Sequence, residues 1–520
     1  MNPANDATAF DVAVVGFGPT GAVAAALLGQ AGIKTFVCDR AREVYDRPRA
    51  IALDHEIQRV FQQIGVMEAV APWLEPFTDS LYFGVDGQLI RRMSTVAPPY
   101  PLGYVPSVVF TQPPVEEALR ARVRGLPSVE VALGCELLRL EQDGEGVDLQ
   151  LRDDDGAERS VRARYVIACD GASSRVREQV GIELQDLEFD EPWLVIDVLA
   201  NERGLAKLPQ TSVQYCEPGR PSSFIIGPGN HRRWEISLHE GEDPKAMATP
   251  EQTWKLLARW IGPDDGELWR QASYRFHALV AKDWRRGRVF VAGDAAHQQP
   301  PFLGQGLCQG VRDVANLTWK LAAVRRGEAG DALLDSYGEE RKLHVTQLTT
   351  RIKAIGAVIC ERDPQRARGR DARLLAEAGG SVRPTPRQDV LPRLEAGLVD
   401  TERQHPANGT IFPQPFLVEG ESRVRFDERA GHGWLLVIDA GAPAVTLEAQ
   451  ALLDRLHIVP VRVGGADAGA LREAEGVLAR WFEGHVCAAA LVRPDRYVYG
   501  VVARLDELPA QLARLEARLR

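Results

Sequence analysis

Residues 11–39 read DVAVVGFGPTGAVAAALLGQAGIKTFVCD. An apolar run of strand character (11–15) meets a glycine turn, an alanine-rich stretch of helical character (about 20–31) follows, and a second apolar run (35–39) closes the segment. The order predicts a compact βαβ unit at the start of the chain. Within it Gly16-x-Gly18-x-x-Gly21 has the spacing of a dinucleotide turn. The first glycine permits the tight turn, the second lets backbone approach a pyrophosphate, and the third lets helix and strand pack closely. The free N–H groups of the helix start would face the phosphate charge. Asp39, at the end of the second run and followed by Arg40, stands where a ribose hydroxyl needs an acceptor. A glycine turn without a ligand has the same bare pattern, and the strand–helix context and the acid favour the nucleotide. They do not separate FAD from NAD.

The rest of the composition sets bounds. At 520 residues the chain exceeds what one hydrophobic core supports, so two or three domains are expected. With 62 basic against 72 acidic residues the net charge is -10, which argues against nucleic acid as a partner. Seven cysteines (38, 135, 169, 216, 308, 360, 487) show neither C-x-x-C nor metal-ligand spacing, so no metal is expected and a reducing, cytoplasmic setting is. The first residues lack the basic-then-apolar pattern of a leader, and the small-apolar run 21–29 is too short to span a bilayer.

Further along, VEVAL, LLRLEQ, VDLQL and VRARYVIA read as a strand meander separated by DGEG and DDDG turns. Residues 185–280 are rich in short strands and read as an inserted, substrate-covering sheet. Helical periodicity marks 313–327, with Val314, Leu317, Leu321 and Val324 on one face, and continues through ALLDSYGEERKLHVTQ. The Pro/Arg/Gly-rich stretch 363–388 reads as a linker or mobile loop. Strands at 433–439 and 496–503 around a helix at about 468–483 suggest a small C-terminal α/β unit. The expected division is therefore 1–184 and 281–390 for the nucleotide unit, 185–280 for the sheet, and 391–520 for the last unit.

Two more glycine-centred segments follow strands. YVIACDGASSRVR (165–177) places Asp170-Gly171 at a strand end, where a β-turn capped by serine is the plain alternative. RVFVAGDAAHQQPPFLGQGLCQG (288–310) delivers Gly293-Asp294, a Pro300-Pro301 turn and Gly304-x-Gly306 at the start of a long helix. The helix dipole there can stabilise negative charge. These three segments in this order resemble the flavoprotein aromatic hydroxylases over roughly residues 10–350. RPRAIALDHE, FTQPPVEEAL, YCEPGRP, NHRRWE, LLDSYGEERKLH and LVRPDRYVYG extend the likeness, within that family, to the 3-(3-hydroxyphenyl)propionate hydroxylases.

The resemblance implies an α/β, Rossmann-like FAD-binding (4-hydroxybenzoate hydroxylase-like) fold with an inserted β-sheet substrate domain and a C-terminal thioredoxin-like α/β domain, here without a C-x-x-C pair. It implies non-covalent FAD, NADH or NADPH as co-substrate, and hydroxylation of a small phenolic acid by O2 through a flavin C4a-hydroperoxide. Gly16, Gly18, Gly21, Asp39, Arg40, Arg49, Gln112, Asp170, Gly293, Asp294, Gly304, Gly306 and Leu307 would hold FAD, with Asp294 on the ribityl hydroxyls. Pro300 and Pro301 would lie beside the substrate, with Gln214, Tyr215, Arg220 and Arg233 as further contacts. Tyr215 and His239 are candidates for a base, and His297 is expected to be structural. Cys308 stands where many relatives have Asn, which puts in question a side-chain contact near the flavin.

Alternatives remain open at this level. They are another ring as substrate (hydroxybenzoate, hydroxypyridine, polyketide), epoxidation on the same scaffold, and an FAD protein that senses redox state without turnover. A halogenase is disfavoured, since no W-x-W-x-I-P segment occurs. A homo-oligomer is possible and no membrane partner is expected.

Overall fold

The computed structural model describes residues 10–465 and 469–520. Five parallel strands form the backbone of its first sheet, in the spatial order Val289–Val291, Glu158–Ala168, Phe10–Val15, Thr35–Asp39, Val129–Leu133. The inner strands and Val289–Val291 are buried on both faces at this end of the sheet, which is why they read as near-continuous apolar runs (VAVV, YVIA, VFV) rather than as alternating ones, while the edge strand Val129–Leu133 is half-exposed. Helix Pro19–Gln30 covers one face. Its alanines and glycines let it sit against the sheet, helix Gln112–Arg124 and helix Gly306–Arg326 at once. The expected meander pairs antiparallel onto this sheet through Val147–Asp153 and Cys135–Gln142.

Register decides what happens at the strand ends. Val15 lies opposite both Ala168 and Cys38, and Ala168 lies opposite Val291. The chain therefore leaves neighbouring strands, spaced about 4.8 Å apart, at one level. The first strand sits where strand order reverses, the position at which open α/β sheets bind ligands.

The second sheet has nine strands. It runs His297–Gln298, Gly266–Ala281, Leu184–Ala200, His231–Ser237, Ser222–Ile226, Ser212–Tyr215, Ser80–Phe83, Leu89–Ser94, Pro384–Pro386. It is not confined to 185–280, because Ser80–Phe83 adds in parallel to Ser212–Tyr215 and carries Leu89–Ser94 with it. A long-range parallel pairing leaves no hairpin signal in sequence. The stretch 363–388 is likewise not a loop. Asp363 accepts the Arg366 N–H at 2.7 Å as N-cap, and Pro364 opens a helix to Glu377. Arg370 and Asp371 fix that helix to the sheet through the Cys216 carbonyl (3.0 Å) and the Val85 N–H (2.8 Å).

The last unit is a four-stranded sheet ordered Val459–Val463, Leu435–Asp439, Ala489–Val492, Val498–Val502, parallel in its first pair and antiparallel beyond. The helix expected at about 468–483 is Val477–His485. The first residue of the expected span, 468, lies outside the described residues. Glu473 then accepts the N–H groups of Leu478 and Ala479, which starts the helix late.

Buried ion pairs bind this unit to the rest. Asp427 takes a bidentate pair from Arg59 (2.7 and 2.8 Å) and lies 3.3 Å from Arg496. Glu340 receives Arg493 (2.7 and 3.0 Å), Lys320 (2.9 Å) and the Leu398 N–H (2.8 Å). Tyr497 donates to Glu56 at 2.8 Å. Burial opposes ionisation of both carboxyls, yet Arg496 and Arg59 hold Asp427 at about 2, and Arg493 and Lys320 hold Glu340 at about 2.

Asp427→Asn strands two buried guanidinia and lowers unfolding free energy by about 3–5 kcal/mol in urea titration. Both carboxyls are depressed below the unfolded range near 4. Their contribution is complete above that range and is lost as pH falls toward 2, which an acid-unfolding curve followed by circular dichroism will show.

Candidate active site

The three glycine-centred loops leave the three in-register strand ends and pack on one another. Gly16 adopts φ +98°, and a Cβ there would run into the Cys169 carbonyl. A Cβ at Gly21 would strike the Gly16 carbonyl, and Cβ atoms at Gly293 (φ +61°) and Gly310 would strike Thr20. At Gly18 and Gly306 nothing lies within 4 Å of the corresponding position, so two stretches of backbone are left open toward the same space.

Side chains lock the loops. Asp39 accepts the Phe17 N–H (2.6 Å) and the Ala41 N–H (2.7 Å), while Arg40 is exposed. Asp170 accepts the Ser174 hydroxyl (2.5 Å) and the Val176 N–H (3.1 Å), which shapes its own turn. Arg177 donates to the carbonyls of Ala172 and Ala295, both at 3.1 Å, and joins the second loop to the third. One helix face does the same for the first loop and the arginine segment. Gln112 accepts the N–H groups of Arg49 (3.0 Å) and Ala50 (2.6 Å), and Arg120, two turns on, donates to Phe17 (3.0 Å). Asp313, fully buried, accepts from Gly293 (2.9 Å), His297 (2.8 Å) and Arg341 (2.9 Å). Burial opposes it, but His297 and Arg341 hold its carboxyl below the usual range.

The loops bound a cavity of about 500 Å³ that reaches the second sheet. Gly18, Arg49, Gln112, Asp294, Gly304, Gly306 and Leu307 line one side. Gly16, Gly21, Asp39, Arg40, Asp170 and Gly293 stand behind or outside this wall. The Asp294 carboxylate is open to the cavity and makes no hydrogen bond to any described residue, and desolvation by the surrounding loops pushes it above the usual range. An unpartnered acid between two open glycine backbones, each at or near a helix start, is the donor and acceptor set that the hydroxyls and phosphates of FAD require.

On the sheet side, strand alternation separates the expected substrate residues. Gln214, Arg233 and Pro301 line the cavity. Tyr215 does not, because its neighbour Gln214 takes the cavity face and sends it to the other. There it accepts the Trp260 N–H at 3.0 Å. Arg220 pairs with Glu242 (2.7 Å), and His239 lies beside the same acid through its backbone, so neither reaches the cavity. Pro300 is buried off the wall, and His297 is committed to Asp313. Cys308 is buried with its sulfur 3.9 Å from the Ala52 carbonyl and does not face the cavity. Phe276 and Phe302 supply apolar wall.

Four further residues went unread in sequence. Glu235 follows Arg233 by two, so alternation alone puts it on the same face. Arg387 was hidden in the stretch read as a linker. Asp313 and Arg341, spaced as ordinary surface charges of two helices, carry no local signal of burial.

The FAD binding domain family model matches residues 9–352, and the HcaD C-terminal domain model matches residues 409–518. The chain is 37% identical to a probable NADH-specific resorcinol 4-hydroxylase of Rhodococcus jostii (strain RHA1), covering 98% of this chain and 95% of that one. It is 33% identical to a 3-(3-hydroxy-phenyl)propionate/3-hydroxycinnamic acid hydroxylase of Mycobacterium sp. (strain JLS), covering 98% and 93%. Among solved structures it superposes on the flavin-dependent monooxygenase PieE in complex with FAD and substrate, with TM-score 0.83, 22% identity and coverage of 99% and 100%. It also superposes on aklavinone-11 hydroxylase with FAD and aklavinone, with TM-score 0.80, 25% identity and the same coverage. Among the described residues no helix is long and apolar enough to cross a membrane. Loops that converge on one cavity and relatives matched along almost their whole length lead to one assignment: the chain belongs to the FAD-dependent aromatic hydroxylases.

Proposed function

We propose that this chain uses NADH and O2 to hydroxylate a small phenolic carboxylic acid. The observation that carries the choice of substrate is Arg387. Its guanidinium lines the cavity, donates to the Ser80 hydroxyl and the Thr78 carbonyl, lies 3.7 Å over the Phe77 ring, and has no ion-pair partner among the described residues. Burial pushes it down to about 10, so it stays charged at neutral pH. A half-buried cation without an anion is costly unless a ligand supplies one, and a carboxylate matches its fork. A neutral dihydroxybenzene is the second reading, favoured by the resorcinol hydroxylase relative.

FAD, when bound, accepts a hydride from the nicotinamide and activates O2. The chain's own residues then bind, orient and exclude water. Gly18 and the start of helix Pro19–Gln30 suit the pyrophosphate, and Asp39 with Arg40 suits the adenosine ribose. Asp294 would accept from the ribityl hydroxyls, with Gly293 and Asp170 shaping the loops around it. Arg49, held by Gln112, offers charge to phosphate. Gly304, Gly306 and Leu307 leave backbone free for the ring system, whose negative charge the helix start stabilises. Gln214, Arg233 and Pro301 face the substrate.

Three outcomes test this reading. The purified yellow protein oxidises NADH faster in the presence of 3-(3-hydroxyphenyl)propionate or resorcinol, and mass spectrometry finds a product one oxygen heavier. NADH oxidation without any hydroxylated product from either member of this two-phenol panel contradicts it. Arg387→Met raises KM for the propionate roughly ten- to hundredfold, as loss of about 1.5–3 kcal/mol of a charged hydrogen bond requires, and leaves KM for resorcinol unchanged. An equal effect on both removes the carboxylate assignment. Asp294→Ala weakens FAD binding by a similar factor, measured by flavin fluorescence titration of the stripped protein.

A further inference from the structure

We infer that Glu235 is the catalytic base that takes the proton of the substrate hydroxyl, a role that rests on the phenol-hydroxylase reading above. Glu235 lies on strand His231–Ser237, is 5% exposed, and lines the cavity. It belongs to one cross-strand row. Val195 and Ser223 stand directly opposite it on either side, and Gln214 and Tyr82 continue the row beyond Ser223. All five face the cavity.

The side-chain donors of Ser223, opposite Glu235, and of Arg233, two residues before it, are used elsewhere, and the Arg270 Nε, which has no partner, does not reach it. The Ser223 hydroxyl donates to Gln214. Arg233 donates to Asp197 (2.7 and 3.2 Å) and to the carbonyls of Arg49 and Pro48 (2.8 and 3.2 Å). No donor of the described residues reaches the Glu235 carboxylate, so its proton-accepting capacity is directed only into the cavity. A carboxylate buried without a partner is destabilising, and a purely packed position is better served by Gln or an apolar side chain.

The surroundings tune it for a phenol. Burial is the main influence and raises it to about 7. Arg233 on its own strand and Arg270 on strand Gly266–Ala281 oppose the rise, and Asp197 on strand Leu184–Ala200 adds to it. His277, Tyr274 and Arg275 from strand Gly266–Ala281, Tyr82 from strand Ser80–Phe83, Arg49, Cys169 from the second loop, Asp294 from the third, and Arg387 are the other titratable or charged groups on the cavity wall. A base near 7 lies about 3 units below a phenol near 10, where an ordinary carboxylate lies almost 6 below, so transfer is far less uphill.

The step balances. The substrate O–H bond breaks, the proton passes to Glu235, and the electron pair stays on the ring oxygen, which enriches the ortho and para carbons. A ring carbon then takes an oxygen atom that derives from O2, as in the family's reaction, and loses its own hydrogen as a proton to water. The ring oxygen takes its proton back from Glu235, which restores the carboxylate and leaves a diphenol.

The test uses holoenzyme and whichever phenol of the panel it hydroxylates. In wild type the single-turnover hydroxylation rate rises with pH through about 7. In Glu235→Gln product per NADH falls about 10²–10³-fold at pH 7 while NADH oxidation continues, and the rising limb moves toward the phenol's own range near 10. An ultraviolet difference spectrum of substrate bound to oxidised enzyme follows the phenolate band, which shifts to higher pH in the variant. Stability gives a separate reading. The raised carboxyl makes folding take up a proton between about 4 and 7, so wild type loses stability over that range and the Gln variant does not. Glu235→Gln therefore melts at or above wild type at pH 8, with the gap closing toward pH 5. Unchanged product yield and an unmoved pH limb in the variant overturn the inference. Should the variant lose flavin, a flat wild-type profile from pH 5.5 to 8.5 overturns it and a limb near 7 supports it. Failure of the underlying reaction shows instead in wild type, which then hydroxylates no phenol at all.

Discussion

Three parallel strands that end at one level are the constraint on which the rest of the site depends. Because Val15, Ala168 and Val291 are in register, the loops that follow them have no room to diverge. They are pressed together closely enough that a single Cβ at Gly16, Gly21 or Gly293 would collide with a neighbouring loop or helix. Close packing among those glycines leaves the open backbone at Gly18 and Gly306. The site is thus a product of sheet register first and of side-chain chemistry second.

Two kinds of buried charge then divide the labour. Asp313 with His297 and Arg341, Asp427 with Arg59 and Arg496, Asp197 with His231 and Arg233, and Glu340 with Arg493 and Lys320 are all paired and hydrogen-bonded within the protein. They orient loops and join elements distant in sequence. Glu235, buried, Arg387, half-buried, and Asp294, open to the cavity, have no ion-pair partner among the described residues, and all three face one cavity. Charges that the fold leaves uncompensated at a single place point to ligands that compensate them, and acid, base and cation stand where a polyol, a phenol and a carboxylate would be received.

Much of the nucleotide side was legible in sequence because it is local. A glycine turn, its strand and its helix occupy adjacent residues, and each residue's duty follows from its offset. The substrate side was not legible to the same degree. Its sheet borrows Ser80–Phe83 and Leu89–Ser94 across more than a hundred residues, and which of Gln214 and Tyr215 faces inward depends on that pairing. Arg387 followed a composition that suggests a loop, although the arginines and alanines before it suit a capped helix equally well. Glu235 follows Arg233 by two, so alternation puts both on one face, but its significance arises from what its neighbours already bind, and sequence holds no trace of that. The ion pairs that fix the C-terminal unit, such as Arg59 with Asp427, join residues whose separation no periodicity records.

A crystal structure of the yellow holoenzyme with a bound phenol tests the central claim most directly. FAD density is expected to run from Gly18 past Asp294 to Gly306, with the Asp294 carboxylate within about 3 Å of a ribityl hydroxyl and the substrate ring between that cofactor and the sheet face bearing Glu235. Flavin density elsewhere on the chain, or a substrate ring on the far side of that sheet, would contradict it.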